Sequence, residues 1–392
     1  MLTALDGDRL HAALALAEGS IGLSDPNPRV GCIVGWPDGR VAGRGFTQEA
    51  GAAHAEVMAL RDAAAQGIDP RGATAWVTLE PCAHHGRTPP CCDALIASGI
   101  RRVVVAVGDP FPHVAGAGLA RLRAAGIEVV LADAPVAAAA RELNIGFFSR
   151  MERGRPFVRV KAALSADGRM ALCNGVSQWI TGAAARSDGH AWRRRAGAVL
   201  TGIGTVLADD PRLDVREVPT RRQPLRVVLD PRLRTPPQAR ILQPPGEVLL
   251  VHTAGAEPPA WLAGSTGIEA WGAPARDGRP DLAAVLEMLA GRGINEVHVE
   301  AGPRLNGAWQ ASGLIDEWLL YVAPMLTGPG LPLAELPLRE TLEGMARHAW
   351  VGAEPVGGDL RLRMRPLPRA ADDVGKIDSP TPRGRWGSSA KG

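Results

Sequence analysis

Short apolar runs alternate with helix-like stretches along nearly the whole chain, and this alternation is what most limits how it can fold. Val30–Val34, Ala75–Leu79, Val103–Val107 and Glu128–Leu131 read as strands, Gly7–Glu18 and His54–Gln66 as helices, and Pro37-Asp38-Gly39 as a hairpin turn. Strands that alternate with helices bury both faces of their sheet, so an α/β layer sandwich is expected. The pattern breaks at Arg150–Pro156, a charged stretch with a glycine and a proline, and then resumes. Phe157–Ala162, Ala198–Thr201, Leu225–Leu229, Val248–Val251, Glu296–Val299 and Trp318–Val322 read as strands of a second α/β unit. A chain of 392 residues exceeds what one core organises. Two domains are therefore expected, at 1–150 and 155–366. Residues 367–392 hold Pro, Arg, Gly and Ser with almost no apolar side chains, and are expected to stay disordered. No internal repeat is visible.

Charge narrows the partners. Lysine plus arginine (44) nearly balance aspartate plus glutamate (41), which gives no reason to expect nucleic acid and favours a small-molecule substrate. No apolar run approaches the roughly 18 residues of a membrane span, and the acidic opening Met1–Asp8 lacks the basic start of a secretory signal, so a cytoplasmic protein is expected. The cysteines are Cys32, Cys82, Cys91, Cys92 and Cys173. An odd number with three of them crowded together suits metal binding better than a disulfide framework.

The sharpest local signal is His54-Ala55-Glu56 followed by Pro81-Cys82 and then Cys91. One imidazole and two thiolates make a soft tetrahedral set for Zn²⁺ with the fourth position left for water, the mark of a catalytic site. Glu56, which need not ligate, is placed to move protons between the attacking water and a departing amine. The pairing matches the signature of zinc nucleobase deaminases, except that the second cysteine lies nine residues on rather than three. Any one of these residues alone would read as a core thiol or a satisfied helix histidine. Cys92, His84 and His85 lie in the same segment and are alternative ligands. Pro89-Pro90 suits a helix start that favours a thiolate at Cys91 or Cys92; Cys91 is preferred, with Cys92 a packed residue.

The stretch Glu80-Pro81-Cys82-Ala83-His84-His85-Gly86-Arg87-Thr88-Pro89-Pro90-Cys91 resembles the segment that marks the riboflavin-pathway deaminase-reductase family. Pro26-Asn27-Pro28-Arg29-Val30-Gly31-Cys32, Gly51–Glu56 and Asp109-Pro110 with Val114-Ala115-Gly116 look like further blocks of it. In the second half, Lys161 through Ser165–Arg169, Ser177–Gly182, Gly204–Pro211 with Arg216, Val299–Pro303 and Leu314–Glu317 are similar to its reductase part. The resemblance spans about Asp6 to Pro366. It implies a cytidine-deaminase-like domain followed by a dihydrofolate-reductase-like one, Zn²⁺ and NADPH as cofactors, and two consecutive steps. The first is deamination of a phosphoribosylaminopyrimidine; the second is NADPH reduction of the product's ribosyl chain to ribityl. A homo-oligomer, most simply a dimer through exposed apolar helices of the second domain, would suit such folds.

By the same resemblance, His54, Cys82 and Cys91 would hold zinc, Glu56 would shuttle protons and Asn27 would bind the pyrimidine or its sugar. Cofactor contacts would fall on Ala163, Trp179, Thr205, Asp209 and the loop Gly302-Pro303-Arg304-Leu305-Asn306-Gly307-Ala308. Substrate contacts would fall on Ser177, Arg193, Leu213, Arg216 and Glu300. Physically, Gly302-Pro303 after an apolar strand opens a helix whose free N–H groups suit a phosphate, and Arg193 and Arg216 could pair with a substrate phosphate through forked donors. Alone, each is weak: Arg193-Arg194-Arg195 is more often a solvated helix face, and Trp179 more often core. The chain departs from the family at Phe111, where an asparagine is usual, at Ala117, where an arginine is usual, and at Ala166 and Pro231. The first two remove polar contacts near the deaminase site, so a raised KM is expected. Two other readings remain: a nucleoside or tRNA deaminase fused to an unrelated oxidoreductase, and a structural zinc module closed by a fourth protein ligand.

Overall fold

The computed structural model describes residues 2–83, 89–110 and 116–368. Among these, one sheet forms from β1 (Gly31–Gly35), β2 (Val41–Phe46), β3 (Thr74–Val77), β4 (Arg102–Val105) and β5 (Glu128–Leu131). Its order is β2-β1-β3-β4-β5, antiparallel through β1 and parallel from β3 onward. The helices are α1 (Ala4–Ala17), α2 (Ala55–Ala65), α3 (Cys91–Ala97), α4 (Ala117–Ala124), α5 (Ala134–Leu143) and α6 (Ile145–Arg153). Alternate strand residues feed two cores. Cys32, Val34 and Val77 pack with Ala55, Ala59, Leu95 and Leu122 on one side, and Ile33, Trp76 and Val104 with Leu10, Ala13 and Val136 on the other.

Small residues set the layer spacing. A Cβ on Gly43 or Gly45 would lie 2.1 Å from Ala59 O or 2.4 Å from Ala55 O, so α2 rests backbone to backbone on β2. That contact fixes the start of α2, where His54 is the N-cap residue and Glu56 sits in the first turn. Helix α6 continues past position 150 to Arg153 because Phe147 and Phe148 are buried in the first unit's core.

The second unit holds β6 (Phe157–Ser165), β7 (Arg169–Leu172), β8 (Ala198–Gly202), β9 (Leu225–Leu229), β10 (Val248–Thr253), β11 (Ile268–Ala273), β12 (Ala275–Arg276), β13 (Arg279–Pro280), β14 (Glu296–Glu300), β15 (Glu317–Ala323), β16 (Gly330–Pro332), β17 (His348–Val356) and β18 (Asp359–Pro366). Its large sheet runs β11-β10-β9-β8-β14-β6-β15-β18-β17, parallel as far as β15 and antiparallel at the β18–β17 edge. Its helices are α7 (Ala183–Arg195), α8 (Ile203–Asp209), α9 (Leu282–Gly291) and α10 (Pro303–Ser312). Val158, Val160, Val297 and Val299 pack on one sheet face against Leu286, Leu289 and Trp309. Residues of opposite parity, Arg159, Glu296, His298 and Glu317, are also buried, so the other face of the central strands is polar.

The apolar helical faces expected to carry an oligomer contact are instead spent inside this core. One helical leucine, Leu207 on α8, is exposed, and further exposed apolar side chains include Leu326, Leu336, Leu338 and Leu342 between β15 and β17, and Trp350 on β17. The tail expected to be disordered lies outside the described residues from 369 onward. No described helix is long and apolar enough to cross a membrane.

Candidate active sites

In the first unit, His54 Nδ1, Cys82 Sγ and Cys91 Sγ all lie within 4.8 Å of one another. His54 Nδ1 is 3.2 Å from Cys91 Sγ and 3.7 Å from Cys82 Sγ, and the Cys91 N–H donates to Cys82 Sγ at 3.3 Å. Ligand atoms of a tetrahedral Zn²⁺ with bonds of about 2.0–2.3 Å stand about 3.5 Å apart, so this donor set fits zinc in chemistry and in size. The three come from the start of α2, the segment after β3 and the start of α3. Considered as protein groups alone, the hydrogen bond from Cys91 lowers the Cys82 thiol, while that same bond and burial raise Cys91. Cys92 faces away, its Sγ against Pro81 O at 3.3 Å and Gly118 O at 3.6 Å, as a packed residue should. His84, His85, Arg87 and Phe111 lie outside the described residues.

Glu56 is buried, and its carboxyl is pushed up to about 7, first by burial and then by the Cys82 thiolate. It shares a side-chain hydrogen bond with Cys91, which places it against the donor cluster. Asn27 lies in the Ser24–Arg29 turn just before β1; its N–H donates to Ser24 O at 2.8 Å.

The second constellation gathers around the carboxyl end of β14, the middle of β6 and the helices α7, α8 and α10. Glu300, the last residue of β14, receives Arg193 Nε and Nη2, the latter at 3.0 Å, and has Lys161 Nζ at 3.6 Å. Burial would raise Glu300, but Arg193 and then Lys161 outweigh it and hold the carboxyl well below its usual range. The fork of Arg193 therefore faces Glu300, and its Nη1 donates to Asp214 O at 3.0 Å. The more exposed guanidinium is Arg216, bound to Asp214 Oδ1 at 2.7 Å. Leu213 is buried beside them with φ of 52°.

Thr205 in α8 faces the start of α10, its Oγ1 4.0 Å from where a Gly302 Cβ would stand. Gly302 is the N-cap of α10, makes no side-chain cap bond, and is followed by proline at N1. From Pro303 the segment is helix rather than loop. Its later residues turn inward: Asn306 Nδ2 donates to Leu333 O at 2.8 Å, and a Cβ on Gly307 would meet Glu335 O at 2.1 Å. Trp179 is 66% exposed, with Arg186 stacked 4.4 Å from its ring centroid. Ser177 is half-buried and Asp209 exposed, while Ala163 stands in β6 opposite Tyr321.

Two family patterns match the chain, one within each unit. Residues 5–107 match the cytidine and deoxycytidylate deaminase zinc-binding region, and residues 156–350 match the RibD C-terminal domain. The riboflavin biosynthesis protein RibD of Escherichia coli is 43% identical over 90% of this chain and 97% of its own length. The chain belongs to the RibD family. The RibD of Aquifex aeolicus is 40% identical over 88% of this chain and 94% of its own. The structure of Acinetobacter baumannii RibD superposes with a TM-score of 0.83 at 40% identity, covering 93% of this chain and 99% of that one. A Thermotoga maritima structure described as a diaminohydroxyphosphoribosylaminopyrimidine deaminase/5-amino-6-(5-phosphoribosylamino)uracil reductase gives 0.82 at 33% identity, with 93% and 99% covered. As a RibD-family chain it is a bifunctional enzyme of riboflavin biosynthesis, with a cytidine-deaminase-like zinc deaminase part and a dihydrofolate-reductase-like, NADPH-dependent reductase part.

Sequence reading passed over several residues that shape these sites. Glu80 is buried, and its carboxylate accepts from the backbone N–H groups of Asp109, Gly116, Gly118 and Leu119 at 3.0–3.3 Å. It thus caps α4 from a distance and holds Asp109 N and Gly116 N on the same carboxylate. Lys161 was visible as the first residue of a family block, but its approach to Glu300 was not. Arg29 is buried and reaches Glu296 in β14 at 2.7 Å, across the boundary between the two sheets.

Proposed function

We propose that residues 1–150 deaminate the 2-amino group of 2,5-diamino-6-(5-phosphoribosylamino)pyrimidin-4-one. Residues 155–366 then reduce the ribosyl chain of the product, giving 5-amino-6-(5-phosphoribitylamino)uracil. The observation that carries the reading is the convergence of His54, Cys82 and Cys91 around one point with the buried Glu56 beside them. His54 Nδ1 and the two sulfurs would hold zinc. When bound, zinc supplies the Lewis acidity that makes water nucleophilic near neutral pH. Glu56 Oε is the group that takes the water's proton and returns it to the departing amine, its carboxyl being buried and hydrogen-bonded to the donor cluster at Cys91. Asn27 hydrogen-bonds the pyrimidine or its sugar.

For the second step, NADPH supplies the hydride. Ala163, Trp179, Thr205, Asp209 and the start of α10 at Gly302-Pro303-Arg304 would bind it, the uncapped N–H groups of that helix suiting a phosphate. Leu305 to Ala308 contribute through the helix they extend. Arg216 is the better placed of the two arginines to receive the substrate phosphate, because the fork of Arg193 orients Glu300. Ser177, Leu213 and Glu300 complete the substrate pocket, with Glu300 fixed by its two cations. A cytoplasmic location fits this chemistry.

Metal analysis together with separate assays of the two half-reactions tests the reading. About one zinc per chain, ammonia release from the diamino substrate and NADPH consumption on the deaminated one are expected. We also propose a homodimer through the outer edge of β17, which pairs with no second strand among the described residues, and the exposed Leu338, Leu342 and Trp350. Sedimentation of wild type against Trp350→Asp tests that, a monomeric wild type contradicting it.

A further inference from the structure

We propose that Arg29 is a positioning residue for both reactions, tying the turn that carries Asn27 to the helix end that carries Arg193. This rests on the assignment of Asn27, Arg193 and Glu300 as substrate contacts made above. Arg29 is 3% exposed. Its Nη1 donates to Glu296 Oε1 at 2.7 Å and to Leu143 O at 3.1 Å, and its Nη2 to Arg195 O at 2.7 Å. Its own backbone is clamped by Asn144, whose Oδ1 accepts from Arg29 N at 2.7 Å and whose Nδ2 donates to Arg29 O at 2.9 Å.

The turn itself is held largely by the other half of the chain. Asn295 Nδ2 donates to Asp25 Oδ1 at 2.8 Å and to Pro26 O at 3.1 Å, Arg222 Nη1 donates to Asp25 O at 2.9 Å, and Arg150 Nη2 donates to Pro26 O at 3.1 Å. The fit leaves no slack: a Cβ on Gly293 would stand 2.9 Å from Pro26 Cβ, and one on Gly146 would stand 2.3 Å from Glu296 Cγ. The turn that carries Asn27 is therefore anchored by Asn295 and Arg222 of the second unit together with Arg150 of α6.

On the reductase side, the same guanidinium grips residues adjacent to that site. Arg195 ends α7 two positions after Arg193, and its Nε also donates to Glu296 Oε2 at 3.0 Å. Glu296 and Glu300 are the first and last residues of β14, on the same face of the strand because side chains alternate. Moving Arg29 thus loosens the base of β14 and the end of α7 together, and these hold the Arg193–Glu300 pair. An ion pair serving stability alone would leave both Michaelis constants where they are.

The test uses the full-length zinc-loaded enzyme with Arg29→Met and Arg29→Lys. Each half-reaction is assayed separately, the reductase on supplied deaminated substrate, with zinc content and Tm measured alongside. Methionine keeps the apolar stem, and Glu296 keeps Arg159 at 2.8 Å and Arg195 at 3.0 Å, so no buried carboxylate is stranded. The expected result is a rise of about tenfold in KM for both half-reactions, with kcat and zinc content within about twofold of wild type. Lysine keeps the charge but lacks the planar fork, so about a threefold rise in both is expected, and this variant carries the test should Arg29→Met fail to fold. A lower Tm with both KM values unchanged, or a rise confined to one half-reaction, overturns the proposal. A wild type silent in either assay would count against the functional reading itself.

Discussion

Glu317 sits at the start of β15 with no exposure, and every oxygen it has is claimed by arginine. Oε1 accepts from Arg159 Nε at 2.6 Å and Arg363 Nε at 3.1 Å; Oε2 accepts from Arg363 Nη2 at 2.7 Å and from Arg365 Nε and Nη2 at 2.9 and 2.8 Å. Burial by itself would raise the carboxyl, but Arg159 and then Arg363 hold it at about 2 against an ordinary 4.5. A folded-state value below the unfolded one adds stability that is fully present above about pH 4.5 and is lost as pH falls through about 2. That difference corresponds to about 3 kcal/mol at neutral pH. An independent expectation agrees: removing one partner of a buried ion pair costs about 3–5 kcal/mol, here because Glu317→Gln sets an amide NH₂ against guanidinium donors. Urea unfolding followed by tryptophan fluorescence should show Glu317→Gln less stable by about 3–4 kcal/mol near pH 7, the gap from wild type narrowing as the buffer is taken below about pH 4.5. A loss under about 1 kcal/mol, or a gap that ignores acid, would refute the reasoning.

Cys91→Ser replaces a soft thiolate with a poor zinc ligand; metal content should fall and ammonia release should drop by more than about a hundredfold, while NADPH oxidation on deaminated substrate continues. Gly31→Ala would place a Cβ 1.9 Å from Ala13 O, backbone that can yield only if α1 shifts, so a loss of at least about 1–3 kcal/mol is expected in urea unfolding, and a near-neutral result would contradict the close approach. Asp6 is buried, forms a capping box with Thr3, and accepts from Trp76 Nε1 and Arg102 Nη1, each at 2.7 Å. Asp6→Asn should cost about 1–3 kcal/mol, read as a lower urea midpoint at unchanged slope.

Most parallel strands were legible because each is a short apolar run, as at Leu225–Leu229 and Glu128–Leu131, but β11, with its half-exposed residues, was missed. The β17–β18 hairpin was missed, although Leu360, Leu362 and Met364 alternate with Arg361, Arg363 and Arg365 in a strand's period. Half of that pattern is charged, and what hides it is the long-range partner: Arg363 and Arg365 are explained by Glu317 and Glu142. The same limit applies to the sites. His54, Glu56, Cys82 and Cys91 announce themselves by residue type and spacing. Glu80 does not, since its partners are backbone N–H groups 29 to 39 residues away. Arg29 and Glu296 are 267 residues apart, and no local pattern marks either as buried. The start of α10 was readable from Gly302-Pro303, but the inward turn of Asn306 and Gly307 depends on residues 333–335, which only the fold brings near.

The central claim is that two separable sites act in sequence, and one paired assay tests it most directly. Ammonia release and NADPH oxidation are followed on the diaminopyrimidine substrate with wild type and Glu56→Ala in parallel, both checked for zinc. The account predicts both signals from wild type and neither from the variant, with NADPH oxidation by Glu56→Ala restored once deaminated intermediate is supplied. Ammonia release that survives in zinc-loaded Glu56→Ala, or NADPH oxidation that the intermediate does not restore, would contradict it.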